Sequence, residues 1–158
     1  MLLNSDGFVK IGDFGVSATM SHTNGTKYTY VGTTTYMSPD RFASEGYKTD
    51  TDIWSLGITL LESALGRFPY PEPDECGNVK PLSLWELVSY INDQPPPNPP
   101  QGTSEEFRDF LNLTLQKVPE SRALVRDLFV HPFIKNNTDP FLFKSWLNTI
   151  PDVEINPI

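Results

Sequence analysis

The first apolar positions of the chain predict a β-hairpin, and a long polar stretch follows it. Apolar residues at 2–3 and 8–11 flank an Asn-Ser-Asp-Gly tetrad at 4–7. The Asp-Gly pair supplies the positive φ that a tight turn requires. Residues 17–30 are polar and show no apolar periodicity, so we expect an exposed, mobile loop there.

The strongest helical pattern covers residues 52–65. Apolar or small residues occupy more than one face of this segment, for example Trp54, Gly57 and Leu61, which predicts a buried helix. Asp50 or Thr51 can cap its start. Gly66 is expected to end it.

Weaker spacing and capping signals predict further helices at 84–91, from 103 through 115, at 122–129 and at about 141–147. In the first of these, Trp85, Val88 and Ile91 fall along one side. The second opens with Thr103-Ser104-Glu105-Glu106, which matches a capping box. The sequence contains no internal repeat.

Proline-rich stretches separate these helices. Pro69, Pro71 and Pro73 predict an extended linker, and the Pro-Pro-Pro-Asn-Pro-Pro run at 95–100 cannot be helix interior. We interpret the run as a stiff loop between helices. The alternative is a ligand for a proline-binding module.

Composition narrows the class of protein. The 158 residues suit one domain, and 12 Lys and Arg against 20 Asp and Glu give a net charge of −8, which argues against nucleic acid as a partner. The single cysteine, Cys76, and the lack of a secretory leader favour the reducing cytoplasm. The apolar segment at 53–65 is too short and too polar to span a membrane.

Candidate chemistry lies in a series of motifs whose order carries more information than any one of them. The series runs Asp13-Phe14-Gly15, then Val-Gly-Thr-Thr-Thr-Tyr-Met-Ser-Pro-Asp at 31–40, then Asp-Ile-Trp-Ser-Leu-Gly at 52–57, then Arg122 ahead of His131-Pro132-Phe133. A metal-binding carboxylate, a variable loop and a substrate-docking loop occur in this order in protein kinases. The chain resembles the C-terminal lobe of a eukaryotic protein kinase.

This resemblance implies a mainly helical α+β fold with a short N-terminal hairpin. Residues 1–135 would be part of a kinase domain, and residues 136–158 a tail with a short helix. Asp13 would bind the Mg²⁺ that bridges the ATP phosphates, since Mg²⁺ prefers carboxylate and phosphate oxygens. Phe14 would pack beneath the cleft, and Gly15 would let the backbone turn.

The resemblance also assigns a substrate-docking loop, formed by Gly32, Thr33, Tyr36 and Pro39. The Thr33 hydroxyl is associated with Ser/Thr acceptance, a role that dual-specificity kinases share. In the family a Glu follows the proline and pairs with an arginine. Here the shorter Asp40 and Arg122 occupy those positions.

Two further assignments follow from the same resemblance. Asp52 resembles the acid that accepts hydrogen bonds from the catalytic-loop backbone, and it also complements the helix macrodipole. Residues 13–31 correspond to an activation loop, in which phosphorylation can order a polar segment. Thr29 is the first candidate for phosphorylation and Thr23 the second, with Ser21 and Thr26 as alternatives.

The motif details are most similar to mitogen-activated protein kinase kinases. We therefore expect a fragment of a dual-specificity kinase that uses ATP and Mg²⁺ in its full-length form. Its partners would be a downstream mitogen-activated protein kinase and an upstream kinase. The glycine-rich loop, the lysine and the His-Arg-Asp loop of the family precede this region, so no catalytic residue is assigned and the isolated chain is expected to be inactive.

Two other functions stay open at this point. One is a non-catalytic interaction module built on the docking loop and the 141–147 helix. The other is a Ser/Thr kinase of the sterile-twenty type, although those favour Trp where Met37 stands here. The substrate kinase, the organism, the true start and the oligomeric state do not follow from the sequence.

Overall fold

A computed structural model describes residues 1–4, 6–12, 34–42 and 50–150. The chain divides into two compact units. The first contains residues 1–22 and 136–158, and the second contains residues 23–135. The polar stretch at 17–30, predicted to be a loop, lies outside the described residues.

The first unit contains the predicted hairpin and the last predicted helix. Strands β1 (Leu2–Leu3) and β2 (Val9–Lys10) pair antiparallel, with Leu2 opposite Lys10. The Asn4 side chain accepts hydrogen bonds from the N–H groups of Asp6 and Phe8, and Gly7 has the positive φ of 84° that the turn requires. The hairpin prediction is confirmed.

The helices of the described residues are α1 (Pro39–Phe42), α2 (Asp50–Leu65), α3 (Leu84–Asp93), α4 (Glu105–Thr114), α5 (Val125–Phe129), α6 (Pro132–Lys135) and α7 (Pro140–Leu147). Short 3-10 turns occur at Thr34–Tyr36 and Pro119–Ser121. The fold is mainly helical with one small hairpin, as predicted. None of the described helices is long and apolar enough to cross a membrane.

Helix α2 forms the centre of the second unit. Trp54, Ile58 and Leu61 are completely buried along it and pack in one cluster with side chains of α3 and α4. The helix begins two residues earlier than predicted and ends as predicted. Gly66 follows with φ 66°, and its N–H binds the Glu62 carbonyl at 2.8 Å.

Helix α3 begins where predicted and ends two residues later. Leu87 and Ile91, one turn apart, enter the core, whereas Trp85 is 77% exposed. A full capping box starts this helix, because Ser83 Oγ accepts from the Glu86 N–H and Glu86 accepts from the Ser83 N–H. Of the three residues predicted to fall along one side, only Ile91 is fully buried.

The start of α4 also differs from its prediction. Ser104 is the N-cap and accepts from the Phe107 N–H at 3.2 Å. Phe107 therefore takes the third helical position, where a capping box would need an acid. The Thr103 hydroxyl instead donates to the Pro100 carbonyl and accepts from Arg108.

The helix predicted at 122–129 is shorter than expected. Arg122 has extended backbone with φ −74° and ψ 135°, and α5 begins at Val125. This extended segment places the Arg122 side chain against α2 and α1, as described below. The proline run at 95–100 is not helical, and Pro97 is buried, which favours the stiff-loop interpretation.

Candidate functional site

Several predicted site residues lie outside the described residues, namely Asp13, Phe14, Gly15, Thr23, Thr29, Gly32 and Thr33. Their roles in metal binding, phosphorylation and acceptor binding stay predictions. Within the described ranges, no group of three or more His, Cys, Asp or Glu side chains could hold a metal ion. The structure does describe Tyr36, Pro39, Asp40, Asp52 and Arg122.

Asp40 and Arg122 form a buried ion pair. Helix α1 places Asp40 in its first turn, and Arg122 Nη2 lies 2.8 Å from Asp40 Oδ1. The Arg122 side chain is 0% exposed and the Asp40 side chain is 7% exposed. The shorter carboxylate of Asp therefore still reaches the arginine.

The Arg122 guanidinium joins three parts of the chain. Its Nε donates to the Gln116 carbonyl at 3.0 Å, and Nη1 donates to the Asp50 carbonyl at 2.9 Å. The Trp54 ring lies 5.6 Å from the guanidinium carbon, within the range of a cation–π interaction. Burying a charge without such partners would destabilise the fold. These contacts together stabilise the buried guanidinium of Arg122.

Tyr36 connects the predicted docking loop to α2 at two points. Its hydroxyl donates to Glu62 Oε2 at 2.6 Å, and its backbone carbonyl accepts from Ser55 Oγ at 2.9 Å. The ring also packs edge-on against Phe68, with 5.7 Å between centroids. These contacts fix the 3-10 turn on the surface of α2.

The Tyr36–Glu62 bond can be tested by titration. The hydrogen bond to the Glu62 carboxylate, together with burial and the charge of Glu62, raises the pKa of Tyr36 from 10.0 to about 12. Because the folded-state pKa is raised, the resulting stabilisation is complete below pH 10 and is lost as the pH rises through about 12. We expect Glu62→Gln to move the pKa of Tyr36 back toward 10, measured by tyrosinate absorbance as a difference from Tyr36→Phe.

A matched control for this titration is Glu72→Gln, because Glu72 is an exposed acid outside α2. This change should leave the pKa of Tyr36 at its wild-type value. An unchanged Tyr36 titration in Glu62→Gln would contradict the hydrogen bond.

The three residues that follow Tyr36 enter the core, whereas Asp52 does not. Met37, Ser38 and Pro39 are buried, so the 37–39 segment is anchored through its side chains. Asp52 is exposed in the first turn of α2. Its position fits the macrodipole interpretation, and its predicted contact with a catalytic loop stays a prediction.

Sequence reasoning missed Glu62 and Ser55 as partners of Tyr36. A signal was available, because Ser55 and Glu62 are polar residues two turns apart on a helix whose neighbouring positions are largely apolar. Two polar residues on one face of a buried helix require polar partners. Tyr36 supplies those partners with its hydroxyl and its backbone carbonyl.

Comparisons with known proteins place the sequence among protein kinases. A family model described as the protein kinase domain matches residues 1–134. Mitogen-activated protein kinase kinase 2 of Arabidopsis thaliana is 46% identical over 135 residues, covering 85% of this chain and 37% of that protein. Mitogen-activated protein kinase kinase 1c of Physcomitrium patens is 44% identical over 136 residues, covering 85% and 39%. Mitogen-activated protein kinase kinase SIPKK of Nicotiana tabacum is 44% identical over 137 residues, covering 85% and 37%. The chain thus spans 37–39% of the length of these relatives.

Proposed function

Because the chain belongs to the protein kinase family, which confirms the resemblance noted in its motifs, we propose that it forms the acceptor-binding part of a mitogen-activated protein kinase kinase. The whole protein would transfer the γ-phosphate of ATP to Ser or Thr, and to Tyr, of a mitogen-activated protein kinase. Relatives that carry this name favour the assignment over a kinase of the sterile-twenty type.

The observation that carries the proposal is the anchoring of residues 36–40 at both ends. Tyr36 is fixed by Glu62 and Ser55, and Asp40 is fixed by Arg122. Phosphoryl transfer depends mainly on positioning the acceptor and on stabilising charge. A rigid docking segment satisfies the first requirement.

In this proposal, Asp13 is the residue that would bind the metal ion at the phosphates of the nucleotide. Bound Mg²⁺ supplies charge neutralisation at the phosphates. The carboxylate of Asp13 is the kind of hard oxygen ligand that Mg²⁺ prefers. The assignment rests on this donor chemistry and on the motif order.

Regulation by an upstream kinase is part of the same proposal. Added phosphate orders polar segments through contacts with basic side chains. Thr29 is the first candidate for this modification, and Thr23 is the second. We also propose a cytoplasmic location, on the basis of the single cysteine.

The function can be tested with the intact protein, ATP, Mg²⁺ and a purified mitogen-activated protein kinase whose ATP site is disabled. We expect phosphate on both Thr and Tyr of the acceptor, identified by mass spectrometry. The 158-residue chain alone should transfer none, because the residues assigned to the nucleotide-binding lobe and the catalytic base are not among its 158. Transfer by the chain alone would contradict that expectation.

The same assay separates the enzyme from an interaction module. If the intact protein binds the acceptor kinase but leaves it unphosphorylated, the interaction-module hypothesis is correct and the kinase hypothesis is wrong. Phosphate on Ser or Thr but never on Tyr would contradict dual specificity and leave the kinase assignment standing.

A further inference from the structure

Helix α7 lies against the turn of the hairpin within the first unit. Lys144 Nζ lies 2.8 Å from Asp6 Oδ1. The backbone at Gly7 approaches the helix so closely that an added Cβ atom would lie 3.2 Å from Phe143 Cδ1 and 3.7 Å from Leu147 Cδ1. Phe143 and Leu147 are one helical turn apart and half-buried, so they form the face of α7 that meets the turn.

The helix itself is fixed by local contacts. The Asp139 side chain caps its start by accepting from the Phe141 N–H at 2.9 Å, and Pro140 opens the first turn. The rings of Phe143 and Trp146 stack with their centroids 5.7 Å apart. The Phe143 ring is therefore held by its own helix where it contacts Gly7.

The hairpin has little to stabilise it apart from such a partner. All four residues of β1 and β2 are exposed, and a hairpin of two strands is at best marginally stable in water. Helix α7 contributes apolar contacts and an ion pair at the turn. The stability of the hairpin should therefore depend on α7.

The hairpin leads directly to the proposed metal ligand. Strand β2 ends at Lys10, and Asp13 follows three residues later. A Cβ atom at Gly12 would lie 2.8 Å from Leu2 Cδ1, so the chain lies against β1 up to the residue before Asp13. The position of the hairpin thus sets the point from which the chain continues into Asp13.

We propose that α7 is a positioning element for the metal site, in which Phe143 and Lys144 hold the hairpin turn and thereby the strand that precedes Asp13. This inference rests on the proposed function, because Asp13 is a metal ligand only in that proposal. Small misplacements caused by changes far from the reacting atoms can reduce a rate by about 100-fold. Loss of the α7 contact should therefore weaken metal binding although no metal ligand is changed.

The test measures Mn²⁺ binding to the intact protein in the presence of a non-hydrolysable ATP analogue, by electron paramagnetic resonance of the free ion. We expect Phe143→Ala to raise the Kd for Mn²⁺ about tenfold, as when the support of a metal ligand is removed. Lys144→Ala should raise it only about threefold, because an exposed ion pair contributes less. The kcat for phosphate transfer should fall in parallel, with an unchanged KM for the acceptor kinase.

The matched control is Leu142→Ala, which removes a neighbouring apolar side chain that is 70% exposed and should leave the Kd unchanged. Lys144→Asp should weaken Mn²⁺ binding, and adding Asp6→Lys should recover it, because the reversed charges form the pair again. A general loss of stability would not be recovered in this way. Circular dichroism checks that each variant is folded.

The outcomes separate this inference from the proposed function. Wild-type Mn²⁺ affinity in both Phe143→Ala and Lys144→Ala, an equal loss in Leu142→Ala, or no recovery in the charge-reversed pair would overturn the role of α7 while phosphate transfer by the wild type still supports the kinase. If the wild type binds Mn²⁺ and the variants weaken it but no phosphate is transferred, the role of α7 stands and the proposed function fails. Absence of Mn²⁺ binding by the wild type would overturn both.

Discussion

Replacing Arg122 with leucine should lower the free energy of unfolding by about 3–5 kcal/mol, the usual cost of removing one partner of a buried ion pair. The change leaves the Asp40 carboxylate, which is 7% exposed, without its cation. It also removes the donors that serve the carbonyls of Gln116 and Asp50. For a chain of this length the melting temperature should fall by about 6–20 °C, measurable by circular dichroism or calorimetry.

The matched control for this prediction is Arg126→Leu. Arg126 pairs with Asp127 at 3.7 Å, but its side chain is 79% exposed, and exposed pairs contribute under about 1 kcal/mol. If Arg122→Leu is no more harmful than Arg126→Leu, the buried pair is not a stabilising contact.

A double variant separates the pair from the rest of the site. Asp40→Leu combined with Arg122→Leu removes both charges at once, so no unpaired ion stays buried. Replacing both partners of a buried pair is often close to neutral. We therefore expect the double variant to be more stable than the sum of its two single changes indicates.

Local signals in the sequence predicted much of this fold. The Asn-Ser-Asp-Gly turn forms because Asn4 and Gly7 satisfy it within a few residues. The end of α2 at Gly66 is equally local, since it depends on one positive φ. Elements of this kind need no knowledge of distant contacts.

Other features depend on packing between elements and could not be predicted locally. Helix α3 has apolar residues on two sides, and contacts with α2 and α4 select Leu87 and Ile91 for the core. Trp85 is left outside for the same reason. The extended backbone at Arg122 is similarly set by partners far away in the chain, such as Asp40 and Asp50.

The candidate site shows the same division. The family resemblance predicted that Asp40 and Arg122 form a pair, but it did not predict how deeply they are buried. The bond between Tyr36 and Glu62 joins residues 26 positions apart, and no short motif encodes it. Such contacts follow only once the docking loop is placed on α2.

Helix α2 has no room for a side chain at Gly57, where it packs against the end of α4. A Cβ atom at this position would lie 2.6 Å from Thr114 Oγ1 and 2.7 Å from Leu115 Cδ2. Thr114 is completely buried, and its hydroxyl is engaged with the Phe110 and Leu111 carbonyls. Neither neighbour can move without opening the core.

Gly57→Val should therefore lower the free energy of unfolding by about 3 kcal/mol, at the upper end of the cost of overpacking. Ala64→Val is the control, because Ala64 is exposed on the same helix and its change should cost only about 0.5 kcal/mol of helix propensity. The difference between the two variants, measured by urea denaturation, isolates the contact with α4. Adding Leu115→Ala to Gly57→Val should recover part of the loss, since it opens space where the new side chain meets α4. Equal losses in Gly57→Val and Ala64→Val would mean that the helices do not need glycine to approach this closely.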